Sequence, residues 1–164
     1  MKLTLAAALA LAAFALPAAA QDAAPESPAQ SSAWHNLQQA ALHSPTRADG
    51  WYILDGGVRF RRIAGDGTGG APVLRDVVSV NYTGRFADGQ VFDSNAGRAP
   101  ATFPLSRLIR AWQIAIPYMG IGDTAEIVVP MEMGYGPDGG GPIPGGATLL
   151  FTIELLDVMR APGG

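Results

Sequence analysis

From Trp51 onward, apolar and polar residues alternate in short runs that clusters of glycine and proline separate. A period of two places neighbouring side chains on opposite faces of a strand, so each run predicts a half-buried β-strand. The Ala87-Asp88-Gly89 sequence predicts a hairpin turn. The predicted strands are Val58–Ile63, Val77–Tyr82, Val91–Phe92, Thr102–Phe103, Thr124–Val129 and Thr148–Val158.

One segment of this region has helical periodicity instead. In Ser106–Ile116, Leu108, Trp112 and either Ala115 or Ile116 share one helical face. Ser106 is the predicted N-cap, and Pro117 ends the segment. The sequence therefore predicts an α+β domain with five or six mostly antiparallel strands and one short helix.

Residues 1–20 have the pattern of a secretory signal peptide. Lys2 precedes the unbroken apolar run Leu5–Leu16, and the small residues Ala18–Ala20 form the expected cleavage site. The run is too short to span a bilayer. No cysteine follows to carry a lipid anchor. We therefore expect an exported protein without a membrane span, located in the periplasm or beyond it.

Residues 21–55 are predicted to be a flexible leader that contains one short helix. Residues 21–32 are small, polar and proline-containing, which is typical of a linker. Residues 33–43 place Trp34, Leu37 and Ala41 on one helical stripe, with Ser31 or Ser32 as the N-cap. Because a helix of this length is marginal in isolation, we expect it to dock or pair.

Several kinds of chemistry are excluded or disfavoured by composition. The chain has no cysteine, and its two histidines, His35 and His43, precede the strand-rich region. Thiolate catalysis is thereby excluded, and a histidine-based metal centre or triad is disfavoured. The formal net charge of -3 disfavours a nucleic-acid surface. The Gly65–Gly70 cluster lacks the lysine that completes a phosphate-binding loop. We expect neither metal nor cofactor.

The acidic residues of the strand-rich region form no recognisable catalytic pair, and most of them, Asp123 included, are expected on solvated surfaces. The aromatic residues are more informative, because six of them come from six separate elements. Together they form either an ordinary core or an apolar pocket, and their spacing does not decide between the two. They are Tyr82, Phe92, Phe103, Trp112, Tyr135 and Phe151.

Seven short motifs occur in a fixed order along about 100 residues. They are V-S-V-N-Y-T-G at 78–84, A-D-G-Q-V-F-D-S at 87–94, F-P-L at 103–105, L-I-R-A-W at 108–112, G-D at 122–123, V-P-M-E-M-G-Y-G at 129–136 and I-P-G-G-A-T-L-L-F at 143–151. Through this ordered set, residues 58–158 resemble the FKBP family of peptidyl-prolyl cis-trans isomerases.

The resemblance implies an isomerase domain over residues 56–160, in which a bent antiparallel sheet, a half-barrel, wraps around one short helix. It also implies a pocket between sheet and helix. The positions that match the family's catalytic residues are Tyr82, Asp93 and Tyr135. The positions that match its substrate-binding residues are Phe92, Phe103, Leu108, Ile109, Trp112, Ile143 and Phe151.

The resemblance also implies a role for individual residues. Trp112 would form the floor under the substrate proline, and the Ile109 N–H and the Tyr135 hydroxyl would bind substrate carbonyls. Asp93 would contact Tyr82 and face the twisting imide bond. The D-S-N sequence at 93–95 also allows Asp93 to cap a turn, and the two roles are compatible.

The implied activity is rotation of X-Pro bonds in exported, unfolded polypeptides, with macrolide inhibitors as a second class of ligand. Ala101, Ala111 and Pro142 depart from common family residues, which leaves substrate preference and macrolide affinity open. One alternative is a non-catalytic holdase that uses the same groove, and another is an envelope interaction module that docks through residues 33–55. We expect a monomer, because only one short helix precedes the domain.

Overall fold

The computed structural model describes residues 31–161. The expected signal peptide and residues 21–30 of the expected leader lie outside this range. Two α-helices and seven strands form the fold. They are α1 (Ser32–His43), β1 (Tyr52–Ile53), β2 (Arg59–Ala64), β3 (Val77–Phe86), β4 (Val91–Ser94), β5 (Ala101–Pro104), α2 (Arg110–Ala115), β6 (Thr124–Val129) and β7 (Leu149–Met159).

All strands belong to one antiparallel sheet with the order β1-β2-β6-β7-β3-β4. Strand β5 pairs with the first half of β3, from Val77 to Val80, and β4 pairs with its second half, from Thr83 to Arg85. Within residues 31–161 the end strands β1 and β4 do not pair with each other, so the sheet is open. The expected antiparallel α+β fold is confirmed, and the two-residue strand β1 is an element that the sequence pattern did not predict.

Helix α2 packs its small and aromatic residues against the sheet. Ala111, Trp112 and Ala115 are buried in one apolar cluster with side chains from β3, β6 and β7. The strand side chains in this cluster include Val78, Val80, Ala125, Ile127, Leu149, Phe151, Ile153 and Leu155. The alternation read from the sequence therefore corresponds to one sheet face that covers the helix.

The helix begins later than predicted. Ser106 lies in a 3₁₀ turn over Leu105–Arg107 and is not a helix cap. Leu108 and Ile109 are extended, with ψ angles of 169° and 153°, and α2 starts at Arg110. This conformation is stabilised from within the helix, because the Gln113 side-chain amide donates to the carbonyls of Ser106 and Leu108.

Helix α1 docks on the domain, as its length required. The Ser31 hydroxyl accepts a hydrogen bond from the Trp34 N–H at 3.1 Å and caps the helix. The buried contact is made by Gln38, whose side-chain oxygen accepts from the Thr148 N–H at 2.8 Å. The expected stripe is wrong at Leu37, which is exposed, because the helix turns its polar Gln38 towards the backbone that precedes β7.

Asp123 is buried, contrary to the expectation that it is solvated. Its carboxylate accepts from the N–H groups of Gly67 and Gly120 and from Arg62 Nε, at 2.8–3.0 Å. Burial opposes ionisation of this group, but these hydrogen bonds and the Arg62 charge outweigh it and lower the pKa of Asp123. The Gly65–Gly70 loop is thereby held to the turn before β6.

The helices of residues 31–161 are all too short or too polar to cross a membrane.

Candidate active site

A cavity of about 280 Å³ opens between the sheet and α2. Nine of the ten residues that the resemblance selected line it, together with Arg107, which the sequence analysis did not select. The lining residues are Tyr82, Phe92, Asp93, Phe103, Arg107, Leu108, Ile109, Trp112, Tyr135 and Phe151. All six aromatic residues that could have formed an ordinary core therefore line a cavity.

Ile143, the tenth residue, lies in the wall of an adjoining hollow of about 620 Å³. Phe92, Asp93 and Tyr135 line both spaces, so the hollow continues the cavity under the Gly- and Pro-rich loop of residues 131–146, between β6 and β7. A pair of backbone hydrogen bonds between Gly140 and Ile143 closes this loop. Ile143 is therefore near the other selected residues without lining the same cavity.

Edge-to-face contacts between aromatic rings fix the shape of the cavity. The Trp112 ring centroid lies 5.3 Å from that of Tyr82 and 5.3 Å from that of Phe151, at 80° and 89°. Phe151 contacts Phe92 at 5.6 Å, and Tyr82 contacts Phe103 at 6.3 Å. Such pairs favour one relative orientation of the rings. Trp112 is 4% exposed and is the most buried aromatic residue of the lining.

Gly84 of β3 lies behind two of these rings. A Cβ atom at this position would be 2.6 Å from Phe92 Cζ and 2.8 Å from Phe151 Cε1, closer than side chains pack. The absence of a side chain at Gly84 thus allows both rings to occupy their places.

The polar groups of the cavity are few. The Tyr82 hydroxyl donates a hydrogen bond of 2.6 Å to Asp93 Oδ2. Burial of the hydroxyl, followed by this hydrogen bond and the Asp93 charge, raises the pKa of Tyr82 to about 12. Tyr82 therefore keeps its proton, and Asp93 contacts Tyr82 rather than capping the turn over 93–95.

A second polar feature is the backbone at the start of α2. Because Leu108 and Ile109 are extended, the Ile109 N–H precedes the helix, and no partner accepts a hydrogen bond from it among the residues that the structure describes. An N–H group at a helix N-terminus can bind an acceptor on a ligand. The cavity thus combines apolar walls with an available backbone donor.

The indole Nε1 of Trp112 is buried and has no hydrogen-bond partner within the described residues. An unpaired buried donor costs about 1–3 kcal/mol. The position of the Trp112 ring is therefore determined by packing and not by a hydrogen bond from the indole.

Asn95 is a structural residue of the site that the sequence analysis did not select. Its side-chain oxygen accepts from the Tyr82 N–H at 2.7 Å, and its amide nitrogen donates to the Val80 carbonyl at 3.0 Å. These bonds fill the gap on β3 between the end of the β5 pairing at Val80 and the start of the β4 pairing at Thr83. The one signal in the sequence that could have pointed to Asn95 was its position two residues after Asp93.

The chain resembles known isomerases in sequence and in structure. It is 44% identical over 125 residues to the outer membrane protein MIP of Legionella longbeachae, covering 74% of this chain and 53% of the relative. It is 38% identical over 120 residues to the FKBP-type 22 kDa peptidyl-prolyl cis-trans isomerase of Escherichia coli K12, covering 72% and 58%. The chain thus spans somewhat more than half the length of these relatives.

The crystal structure of FkpA from Escherichia coli superposes with a TM-score of 0.73 at 32% identity, over 78% of this chain and 60% of that one. The family model described as FKBP-type peptidyl-prolyl cis-trans isomerase matches residues 69–156, which is more than half of the chain. This range contains every residue that lines the cavity. The chain belongs to the FKBP family of peptidyl-prolyl cis-trans isomerases.

Proposed function

We propose that the protein is a peptidyl-prolyl cis-trans isomerase that acts on exported, unfolded polypeptides. The observation that carries the proposal is the cavity itself, in which aromatic walls surround the hydrogen-bonded pair of Tyr82 and Asp93 next to the available Ile109 N–H. Family membership and the ordered motifs support the same assignment.

The reaction suits this inventory of groups. Rotation about an X-Pro bond is opposed by amide resonance, with a barrier of about 18–20 kcal/mol. The twisted amide has less charge separation than the planar amide, so an apolar cavity favours the twisted form. Binding that is stronger in the transition state than in the ground state lowers the barrier without a nucleophile or a proton transfer.

Each polar group is assigned a task in this proposal. Trp112 supports the proline ring from below. The Ile109 N–H and the Tyr135 hydroxyl hold carbonyls of the flanking chain while the imide rotates. Asp93, positioned by the Tyr82 hydroxyl, lies beside the rotating bond. Its charge interacts with the partial charges of the imide group, which change during rotation.

A prolyl-peptide assay with charge-removing variants tests the proposal. A hydrogen bond to a charged group is worth about 1.5–3 kcal/mol. Asp93→Asn should therefore lower kcat/KM about 10- to 100-fold. Asp157→Asn removes the same charge from an exposed position on β7 and should leave kcat/KM at the parent value. Absence of catalysis by the parent chain would overturn the proposal.

A holdase activity that uses the same groove is the second candidate, and apolar side chains at the sheet edge would give it a further surface. Tyr52 and Ile53 of β1 and the nearby Tyr118 are 55–61% exposed and border one hollow with Phe60. Exposed apolar groups of this kind can hold unfolded chains. Suppression of aggregation of a proline-free client tests this activity. Asp93→Asn should keep it while losing isomerisation.

We also propose export to the periplasm or beyond, a monomeric state and binding of macrolide inhibitors. The sequence pattern of residues 1–20 supports export. Cell fractionation with detection of the processed N-terminus tests export. Light scattering tests the monomer, and competition between a macrolide and a prolyl peptide tests inhibitor binding.

A further inference from the structure

Arg107 stands apart from the other residues that line the cavity. It is exposed, and it makes no hydrogen bond or ion pair with another side chain anywhere in residues 31–161. The ion pairs of this range involve other arginines, namely Arg61 with Glu126, Arg62 with Asp123 and Arg160 with Asp76. A guanidinium with no protein carboxylate beside it thus lies at the substrate cavity.

The backbone that carries Arg107 is held firmly. Leu105 is fully buried, and its carbonyl accepts from the Leu108 N–H at 3.2 Å. The Gln113 side-chain amide donates to the carbonyls of Ser106 and Leu108, the residues on either side of Arg107. Because Gln113 and Trp112 are neighbours in α2, the position of Arg107 is fixed relative to the cavity floor.

Two other charged groups at or near the cavity, Asp93 and Arg98, have hydrogen-bond partners. Asp93, the carboxylate of the lining, accepts from the Tyr82 hydroxyl. Arg98, whose charge acts on Tyr82, donates to the Ser94 carbonyl. The chain has more acidic than basic residues, 14 against 11, and none of the described acids pairs with Arg107. A carboxylate on a bound polypeptide would supply the missing counter-charge.

We propose that Arg107 gives the cavity a preference for polypeptides that carry Asp or Glu directly beside the proline or at the second position before it. The inference rests on the proposed isomerase function and adds the class of substrate. A planar guanidinium can donate two parallel N–H hydrogen bonds to the two oxygens of a carboxylate on the substrate. A substrate glutamine, which is similar in size to glutamate, cannot form this paired contact. The expected effect is modest, because the contact is exposed to water and salt.

The test uses matched peptide pairs with Glu or Gln at each of the two positions before proline and at the position after it. For at least one position the parent chain should favour the Glu peptide about two- to five-fold in kcat/KM, the range expected for an exposed ion pair. The same preference should appear in dissociation constants from calorimetry. It should weaken as salt rises.

Arg107→Gln should bring the Glu-to-Gln ratio close to one, and Arg107→Lys should retain part of the preference. Arg75→Gln is the matched control, because Arg75 is also exposed but does not line the cavity. It should retain the parent ratio. Equal treatment of every peptide pair by the parent chain, or a preference that survives in Arg107→Gln, overturns the inference. If no peptide is isomerised, the proposed function fails, while the calorimetric ratio still decides the role of Arg107.

Discussion

Asn95→Ala should destabilise the protein through the backbone of β3. The Asn95 side chain occupies the place of a missing strand segment, because it accepts from the Tyr82 N–H and donates to the Val80 carbonyl. It is 6% exposed, so water does not readily replace it. Each buried group left without a partner costs about 1–3 kcal/mol. Two such groups predict a loss of about 2–6 kcal/mol in the free energy of unfolding.

Urea unfolding, with the slope compared between variants, measures this loss. Asn95→Asp is the sharper companion, because it keeps an oxygen for the Tyr82 N–H but loses the donor to Val80 and buries a charge. It should be at least as unstable as the alanine variant. Asn36→Ala, at an exposed position of α1, should change the stability by no more than about 0.5 kcal/mol.

Hydrogen exchange at the Tyr82 amide provides the decisive readout. In the parent chain this amide is bonded to the Asn95 side chain and should be protected. In Asn95→Ala it should exchange faster by a larger factor than the amides of β6. A stability loss below about 1 kcal/mol, together with a Tyr82 amide that stays protected, would refute the reasoning. It would mean that water or strand rearrangement satisfies both backbone groups.

Three further predictions concern the cavity and the buried acid. Trp112→Phe loses about 1 kcal/mol of apolar burial but also removes a buried, unpaired donor that costs the parent about 1–3 kcal/mol. The unfolding midpoint should therefore equal or exceed that of the parent, while isomerisation slows. A midpoint far below that of the parent would contradict the finding that Nε1 is unpaired. Tyr82 should titrate near pH 12 in the folded protein, above its ordinary value of 10.0, so its contribution to stability is present below pH 10 and lost as the pH rises towards 12. The difference in tyrosinate absorbance between the parent and Tyr82→Phe measures this titration, and a step near pH 10 would contradict it. Because the pKa of Asp123 is lowered from 3.8, the stabilisation by its carboxylate is present at neutral pH and lost as the pH falls below about 4. Asp123→Asn should be less stable than the parent at pH 7 and should lose less stability on acidification. Parallel curves of unfolding free energy against pH for the two proteins would rule out this role.

The regular part of the fold could be predicted because its signal is local. A period of two can be read directly from the order of the residues. Strands β2, β3, β6 and β7 accordingly begin within one residue of the predicted starts. The cavity residues other than Arg107 could be predicted because they lie within the family motifs. Strand β1 was missed because two residues are too few to show a period.

Other features depend on contacts between residues far apart in the chain. The burial of Asp123 needs the N–H of Gly67 and the Arg62 side chain, which are 56 and 61 residues away. Gln38 is buried because Thr148, 110 residues away, presents a backbone donor to it. A pattern of hydrophobicity cannot show such pairs, since every partner is polar.

The late start of α2 has a different origin. A window of residues with helical spacing begins at Ser106, and helix propensity gives no reason to delay it. The delay follows from the two hydrogen bonds that the Gln113 side chain donates to the carbonyls of Ser106 and Leu108, and it leaves the Ile109 N–H available at the cavity. Arg107 was not selected because it lies between two family motifs, at 103–105 and 108–112, and belongs to neither.

The closeness of Gly84 to two aromatic rings means that the width of the cavity is set from behind its walls. Libraries that vary only the residues in contact with a substrate would leave this position untouched. Yet a single methyl group there would meet Phe92 and Phe151 before any substrate does. Engineering of the cavity for bulkier or smaller ligands therefore begins with a backbone position that no ligand touches.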